Sequence, residues 1–258
     1  MNVDIFIPVR LNSTRLRKKH LEKIGEISII EHLVNRLKNV KNFRKIIVCT
    51  TNNKSDDELV DFLEMKKITY FRGDEKNILK RFVDAAREFD TDIIIDVEGD
   101  KLFTEPDLVN KIILEMKSNE YDFIIGSSSS TFDANDHFIH GIIPTGIRVS
   151  CIKKIASLVK SEKFETGYKE FFESNSTIKK KIFNLDITKL KIPKNLRLTI
   201  DYPEDLEFAK QLFRKLDKNY TYLDILELLD KNGELLKIIK NIDKKWAENY
   251  KKEISENY

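Results

Sequence analysis

The chain has 258 residues, a length that fits one domain or one domain with a small lobe. With 46 Lys+Arg against 43 Asp+Glu its formal charge is only +3, which excludes a generally basic nucleic-acid coat. Hydrophobic residues at 41% and aromatics at 10% supply a real core and exclude a disordered chain.

Two cysteines, Cys49 and Cys151, form no CxxC and no disulfide scaffold, so the expectation is a reducing compartment. No signal peptide and no long apolar run is legible. The chain reads as cytoplasmic, with neither nucleic acid nor membrane as a partner.

The first half alternates short apolar runs with helical patterns. Strands are expected at 3–9, 45–51, 68–71, 92–97 and 122–126. Helices are expected at 28–37, 56–65 (behind Ser55 as cap), 78–89 and 106–116. Such alternation with continuously apolar strands implies a parallel sheet covered on both faces. From about Ser127 the pattern changes. Residues 127–140 read as a polar loop, 142–149 as a bent strand and 179–187 as a further strand. A strand at 196–200 leads into a helix at 203–216, and two amphipathic helices broken at Asn232-Gly233 fill 222–250. The whole chain, 1–258, reads as one domain with an insertion lobe at about 128–190. Its apolar residues, Phe138, Ile139, Ile142, Ile143, Phe171 and Phe172, are too few for a separate core. A homodimer through that lobe is therefore expected.

The segment after the first strand is I-P-V-R-L-N-S-T-R-L-R-K-K-H-L. Between Arg10 and Lys23 lie six basic residues and one acid. In open α/β sheets ligands sit beyond the carboxyl ends of the strands, so a cationic loop here suits a nucleoside triphosphate. A solvated basic loop is the plainer alternative. No GxGxxG and no GxxxxGK[ST] is present, which argues against a dinucleotide dehydrogenase and a P-loop ATPase.

Two carboxylates stand at expected strand ends: Asp100 in E-G-D after 92–97, and Asp201 in D-Y-P-E-D after 196–200. Neighbouring carboxylates can share one Mg²⁺, which takes one or two of them plus substrate phosphates. Alternatively, each caps the helix that follows. The four histidines show no zinc motif. His137, His140 and Arg148 are candidates to meet an acidic acceptor. Ser127–Ser130 lacks a nucleophile elbow. Trp246 reads as packing or as a dimer contact.

Four segments carry a resemblance. R-x-x-S-T-R-L-x-x-K supplies Arg10, Ser13, Thr14, Arg15, Leu16 and Lys19. The others are F-R-G-D-E-K-N-I-L-K-R-F at 71–82, D-V-E-G-D-K-L-F-T-E-P at 96–106, and L-R-L-T-I-D-Y-P-E-D-L-E-F at 196–208. Together, and in this order, they resemble the cytidylyltransferases that activate acidic sugars. These include the CMP-acylneuraminate and CMP-Kdo synthetases and the spore-coat-polysaccharide proteins.

The resemblance implies a three-layer, Rossmann-like sheet of the nucleotide-diphospho-sugar-transferase type. It implies transfer of CMP from CTP to a small acidic sugar, for lipopolysaccharide or other surface polysaccharide, with Mg²⁺ as cofactor. By resemblance Asp100 and Asp201 hold the metal. Arg10, Arg15, Lys19 and Asp100 carry catalysis. Pro8, Arg10, Ser13, Arg15, Lys19, Thr50, Gly73, Asn77 and Arg81 bind the nucleotide. Glu98, His140, Arg148 and Glu165 face the acceptor.

The chain also departs from the family pattern. Arg17 and Lys18 stand where Pro and Gly are usual, which makes the loop more basic. Glu98 stands where Gln or Thr is usual, and Lys101 follows Asp100. These last changes argue against ordinary Kdo or sialic acid as acceptor. A GT-A glycosyltransferase is the enzymatic alternative, disfavoured by E-G-D in place of D-x-D. A non-catalytic nucleotide-binding scaffold is the other, disfavoured because Lys19, Asp100 and Asp201 are all present.

Overall fold

The computed structural model describes residues 1–118, 120–126, 139–158, 168–183, 185, 190–193 and 196–255. The first strand, β1 (Val3–Pro8), lies inside the sheet, and its alternate residues pack on opposite faces. Ile5 and Ile7 join one apolar core and Phe6 joins the other. After a short hairpin of β2 (Lys23–Ile24) and β3 (Ile27–Ser28) comes α1 (Ile29–Leu37), capped by Ser28, whose hydroxyl accepts from Glu31 N at 3.3 Å.

The alternation then runs β4 (Lys45–Thr51), α2 (Asp57–Met65), β5 (Tyr70–Gly73), α3 (Ile78–Glu88), β6 (Ile93–Asp96), α4 (Pro106–Lys117) and β7 (Phe123–Ile125). Each element meets its sequence expectation within a few residues. Ser55 does not cap α2, however. It lies in a 3₁₀ turn, Lys54–Asp56, capped by Asn53.

The seven-stranded sheet has the order β5-β4-β1-β6-β8-β7-β9, with β8 at Thr145–Arg148 and β9 at Lys180–Ile182. β1 pairs in parallel with β4 and β6, β4 with β5, and β7 with β9; β8 runs antiparallel to both its neighbours. The sheet is thus mostly parallel with helices on both faces, as expected.

The segment expected to form a lobe contributes β8 and β9 to this sheet. Ile139, Ile142 and Ile143 join the larger core, and Phe172 the smaller one with α5 (Val149–Leu158) and α6 (Lys169–Ser174). Their apolar surface is satisfied within one copy, so it supplies no argument for a dimer. Phe138 and the loop 127–138 lie outside the described residues.

Residues 196–200 do not form the expected strand. β8 already occupies the place beside β6, so this segment pairs with turns instead. Leu198 N donates to His140 O at 2.8 Å and Ile200 N to Asp100 O at 3.0 Å. Gly141 permits the approach: at φ +98 it lies where L side chains are rare, and a Cβ there would meet Leu198 O at 2.3 Å. The segment leads into α7 (Pro203–Phe213), then α8 (Tyr222–Lys231) and α9 (Ile242–Ser255). No helix among the described residues is long and apolar enough to cross a membrane.

Candidate active site

The carboxyl ends of β1 and β6 open into a cavity of about 310 Å³. Its wall includes Pro8, Arg10, Ser13 and Lys19 from the loop after β1, Arg81 from α3, Glu98 and Asp100 after β6, and Asp201. All four of the sequence motifs therefore meet at one place.

The loop after β1 is held from beneath. The buried carboxylate of Asp56 accepts from Leu11 N at 2.7 Å, Thr50 Oγ1 at 3.1 Å and Thr51 N at 3.3 Å. Lys18 takes φ 52, a left-handed conformation that glycine adopts freely. The backbone thus makes the turn for which the family uses glycine, with a lysine in its place. Behind the loop, Gly99 packs close: a Cβ there would lie 2.7 Å from Val9 Cγ2 and 2.9 Å from His20 Cε1.

At the centre Lys19 Nζ lies 3.2 Å from Asp100 Oδ2 and 3.1 Å from Asp201 Oδ1. Asp201 also takes Arg15 at 3.3 Å on Oδ1 and Arg197 at 2.8 Å on Oδ2. Burial pushes the Asp201 carboxyl up, but Lys19, Arg197 and Arg15 together outweigh it and hold it below the usual range. Burial raises the Asp100 carboxyl; Lys19 opposes this, while Asp201 and Glu98 add to it. Burial would also lower the Lys19 ammonium, yet the two aspartates keep it above its ordinary value.

Asp201 is not the cap of α7. The cap position is Tyr202, and Asp205 in the first turn reaches back to it, its Oδ2 accepting from Asp201 N at 2.9 Å and Tyr202 N at 3.0 Å. The helix-cap alternative therefore does not hold for Asp201. Asp100 Oδ1 is buried and has no hydrogen-bond partner. An orphaned carboxylate oxygen beside a second carboxylate fits a hard cation. No group of three or more His, Cys, Asp or Glu among the described residues is placed to hold a metal unaided. A Mg²⁺ here would need substrate oxygens to complete its shell, which is its usual habit at phosphates.

The two departures Glu98 and Lys101 pair with each other at 2.9 Å. Glu98 also takes Lys169 at 2.6 Å, and Lys169 lies 3.1 Å from Asp96. Burial would raise the Glu98 carboxyl, but the two lysines hold it well below its ordinary value. With Glu98 engaged by lysines, the strand end offers Asp100 rather than a D-x-D pair, which further disfavours the GT-A reading.

Other sequence candidates fall elsewhere. Thr50 donates to Asp56 and supports the loop from inside the core. Asn77 caps α3, its side chain accepting from Lys80 N at 2.9 Å. Gly73 borders a separate cavity of about 340 Å³ with Asn52 and Arg72. Arg148 is misplaced by the sequence reading. Because β8 is antiparallel, Arg148 pairs with Ile93 at the opposite end of the sheet, and its Nε donates to Tyr121 O at 2.9 Å. His140 lies against Trp246, with ring centroids 5.6 Å apart and the rings tilted by 59°, and it is not itself among the cavity-lining residues. Glu165 and His137 lie outside the described residues.

Sequence reasoning missed His20, Lys169 and Trp246, which line the cavity together with Tyr168. It also missed Arg197, although that residue sits inside the quoted L-R-L-T-I-D motif. Trp246 is a wall residue here, not merely packing.

This sheet, with a cationic loop and two carboxylates at its carboxyl edge, defines a nucleotidyltransferase of Rossmann-like architecture. A family model described as cytidylyltransferase matches residues 5–227, and the chain belongs to that family. Among curated relatives, an uncharacterized protein of Methanocaldococcus jannaschii is 28% identical over 246 residues, covering 95% of this chain and 97% of its own. The spore coat polysaccharide biosynthesis protein SpsF of Bacillus subtilis is 24% identical over 243 residues, covering 91% and 97%. A solved cytidylyltransferase from Leptospira borgpetersenii superposes with TM-score 0.78 at 25% identity, covering 91% of this chain and 96% of that one.

Proposed function

We propose that this cytidylyltransferase moves CMP from CTP to a sugar acid for surface polysaccharide synthesis, using Mg²⁺ held by Asp100 and Asp201. The observation that carries the reading is the meeting of Lys19, Asp100 and Asp201 at the strand ends, with one Asp100 oxygen left unsatisfied. The family membership and the resemblance to SpsF support the cytidine nucleotide and the polysaccharide context.

In this reading a sugar hydroxyl oxygen attacks the α-phosphorus in line. The new P–O bond forms as the bond to the bridging oxygen breaks, pyrophosphate leaves, and the hydroxyl proton passes to solvent. Mg²⁺, when bound, neutralises phosphate charge and lowers the barrier to attack. Arg10, Arg15 and Lys19 hold the phosphates, while Pro8, Ser13 and Arg81 shape the nucleotide side. Lys19 meets Asp100 and Asp201 through one ammonium; Asp100 and Asp201 are the residues that would hold Mg²⁺, and Lys19 would hold the phosphates beside them. No covalent enzyme intermediate is needed, and positioning with charge neutralisation does the catalysis.

The test is pyrophosphate release from each of CTP, UTP, ATP and GTP with a panel of 2-keto sugar acids. Release with CTP and at least one sugar acid, abolished by EDTA and restored by Mg²⁺, is the expected result. No pyrophosphate from any triphosphate, with release of a nucleoside phosphate from a nucleotide sugar instead, would favour the GT-A alternative. Nucleotide binding with no release would favour a scaffold.

A further inference from the structure

We infer that Trp246, on the C-terminal helix α9, is a specificity-determining residue that forms the acceptor-side wall of the reaction cavity. The inference rests on the transfer to a sugar acid proposed above. It goes beyond the family match, which ends at residue 227.

The cavity has two sides. The loop after β1 and Arg81 of α3 lie toward β4 and β5, on one side of the strand-end carboxylates. His140 precedes β8, which lies on the other side of β6, and the Trp246 ring packs at a tilt beside His140. The carboxylates Asp100 and Asp201 stand between. A nucleotide whose phosphates meet the basic loop therefore leaves the Trp246 side for the group that attacks the α-phosphorus.

The indole is held in place by several contacts. Arg197, almost fully buried and bonded to Asp201, has its guanidinium carbon 5.1 Å from the indole centroid. Helix α9 is itself pinned across Tyr202. Asn249 Nδ2 donates to the Tyr202 hydroxyl at 2.6 Å, and the Lys245 ammonium lies 4.5 Å from that ring's centroid. Ile242 at the start of α9 is buried in the main core. A fixed aromatic surface beside Glu98 and Lys169 offers an apolar wall and polar groups together. That is the usual composition of a small-molecule site and suits the apolar face and hydroxyls of a sugar.

Trp246 is the sole tryptophan of the chain, so its fluorescence reports on this wall alone. The experiment titrates wild-type protein with CMP and with the CMP conjugate of each acid that the pyrophosphate assay shows to be turned over. A CMP-sugar is expected to change the tryptophan emission well beyond CMP. By calorimetry, Trp246→Ala should lose roughly tenfold in affinity for that CMP-sugar while CMP affinity stays within about twofold. Trp246→Phe should recover most of the loss, and its unchanged CMP binding confirms that the fold is intact.

Equal emission changes with CMP and the CMP-sugar would place Trp246 on the nucleotide side and overturn the inference. So would a turned-over acid whose CMP conjugate leaves emission at the CMP level, or a Trp246→Ala variant with unaltered CMP-sugar affinity. Absence of pyrophosphate release with every acid would instead remove the proposed function, and this inference with it.

Discussion

The ammonium of Lys19 lies 3.1 Å from Asp201 Oδ1, although the two residues are 182 positions apart. One lysine thus ties the first loop to the turn before α7. Lys19→Ala leaves Asp100 and Asp201 facing each other without that charge, in a buried place. A loss of about 3 kcal/mol in stability is expected, since breaking a buried pair leaves uncompensated charge. Mg²⁺ should restore part of it. Thermal melts with and without Mg²⁺ check this: the metal-induced shift should be larger in Lys19→Ala than in the wild type.

Asp100→Asn and Asp201→Asn should both reduce turnover, by about a hundredfold or more, because each removes a carboxylate proposed to hold Mg²⁺ at the transferred phosphoryl group. Their stabilities should diverge. Burial makes the Asp100 charge costly, so Asp100→Asn should leave the melting temperature unchanged or raise it. Asp201 is paired with Lys19, Arg15 and Arg197, so Asp201→Asn should cost about 2–4 kcal/mol. Calorimetric melts beside steady-state rates separate the two effects.

Asp56 holds the basic loop without touching the cavity. Asp56→Ala leaves Leu11 N and Thr51 N without their shared acceptor. About 2–3 kcal/mol of stability should be lost. The KM for CTP should rise more than kcat falls, because the loop that holds the phosphates loses its anchor. Steady-state kinetics over a CTP series measures the split.

His20 is buried and its imidazole is lowered to about 3, chiefly by burial and then by Lys19. The unfolded chain takes up the proton near pH 6.5, so below that value protons favour the unfolded state. Its contribution to stability is fully present above about pH 6.5 and is lost as pH falls toward about 3. The expected slope is about 1.4 kcal/mol per pH unit for this one group. Urea midpoints of wild type and His20→Gln between pH 4.5 and 7 test it. The variant should show the shallower dependence.

Much of the fold was legible because its signals are local. A short run such as K-I-I-V-C-T-T, rich in β-branched residues, fits a strand buried on both faces, and the helical spacing of Ile29, Leu33 and Leu37 needs one apolar face. The basic loop and the E-G-D and T-I-D-Y-P-E-D segments were legible too, since charge and turn residues stand out in a row of letters. These local signals determined the elements, the mainly parallel sheet and the loop and carboxylates of the candidate site.

Long-range pairing was decided only in three dimensions. Nothing in T-G-I-R says that β8 enters the sheet antiparallel between β6 and β7, yet that direction sends Arg148 away from the cavity and brings His140 toward it. The same insertion displaces 196–200 from the sheet, so that Asp201 is placed by hydrogen bonds to the turns at His140 and Asp100. Lys169 and Trp246 reach the cavity from helices whose own sequences show only amphipathic or polar patterns. Side-chain period reports which face of an element is buried, whereas the neighbour that buries it depends on the packing of the whole chain.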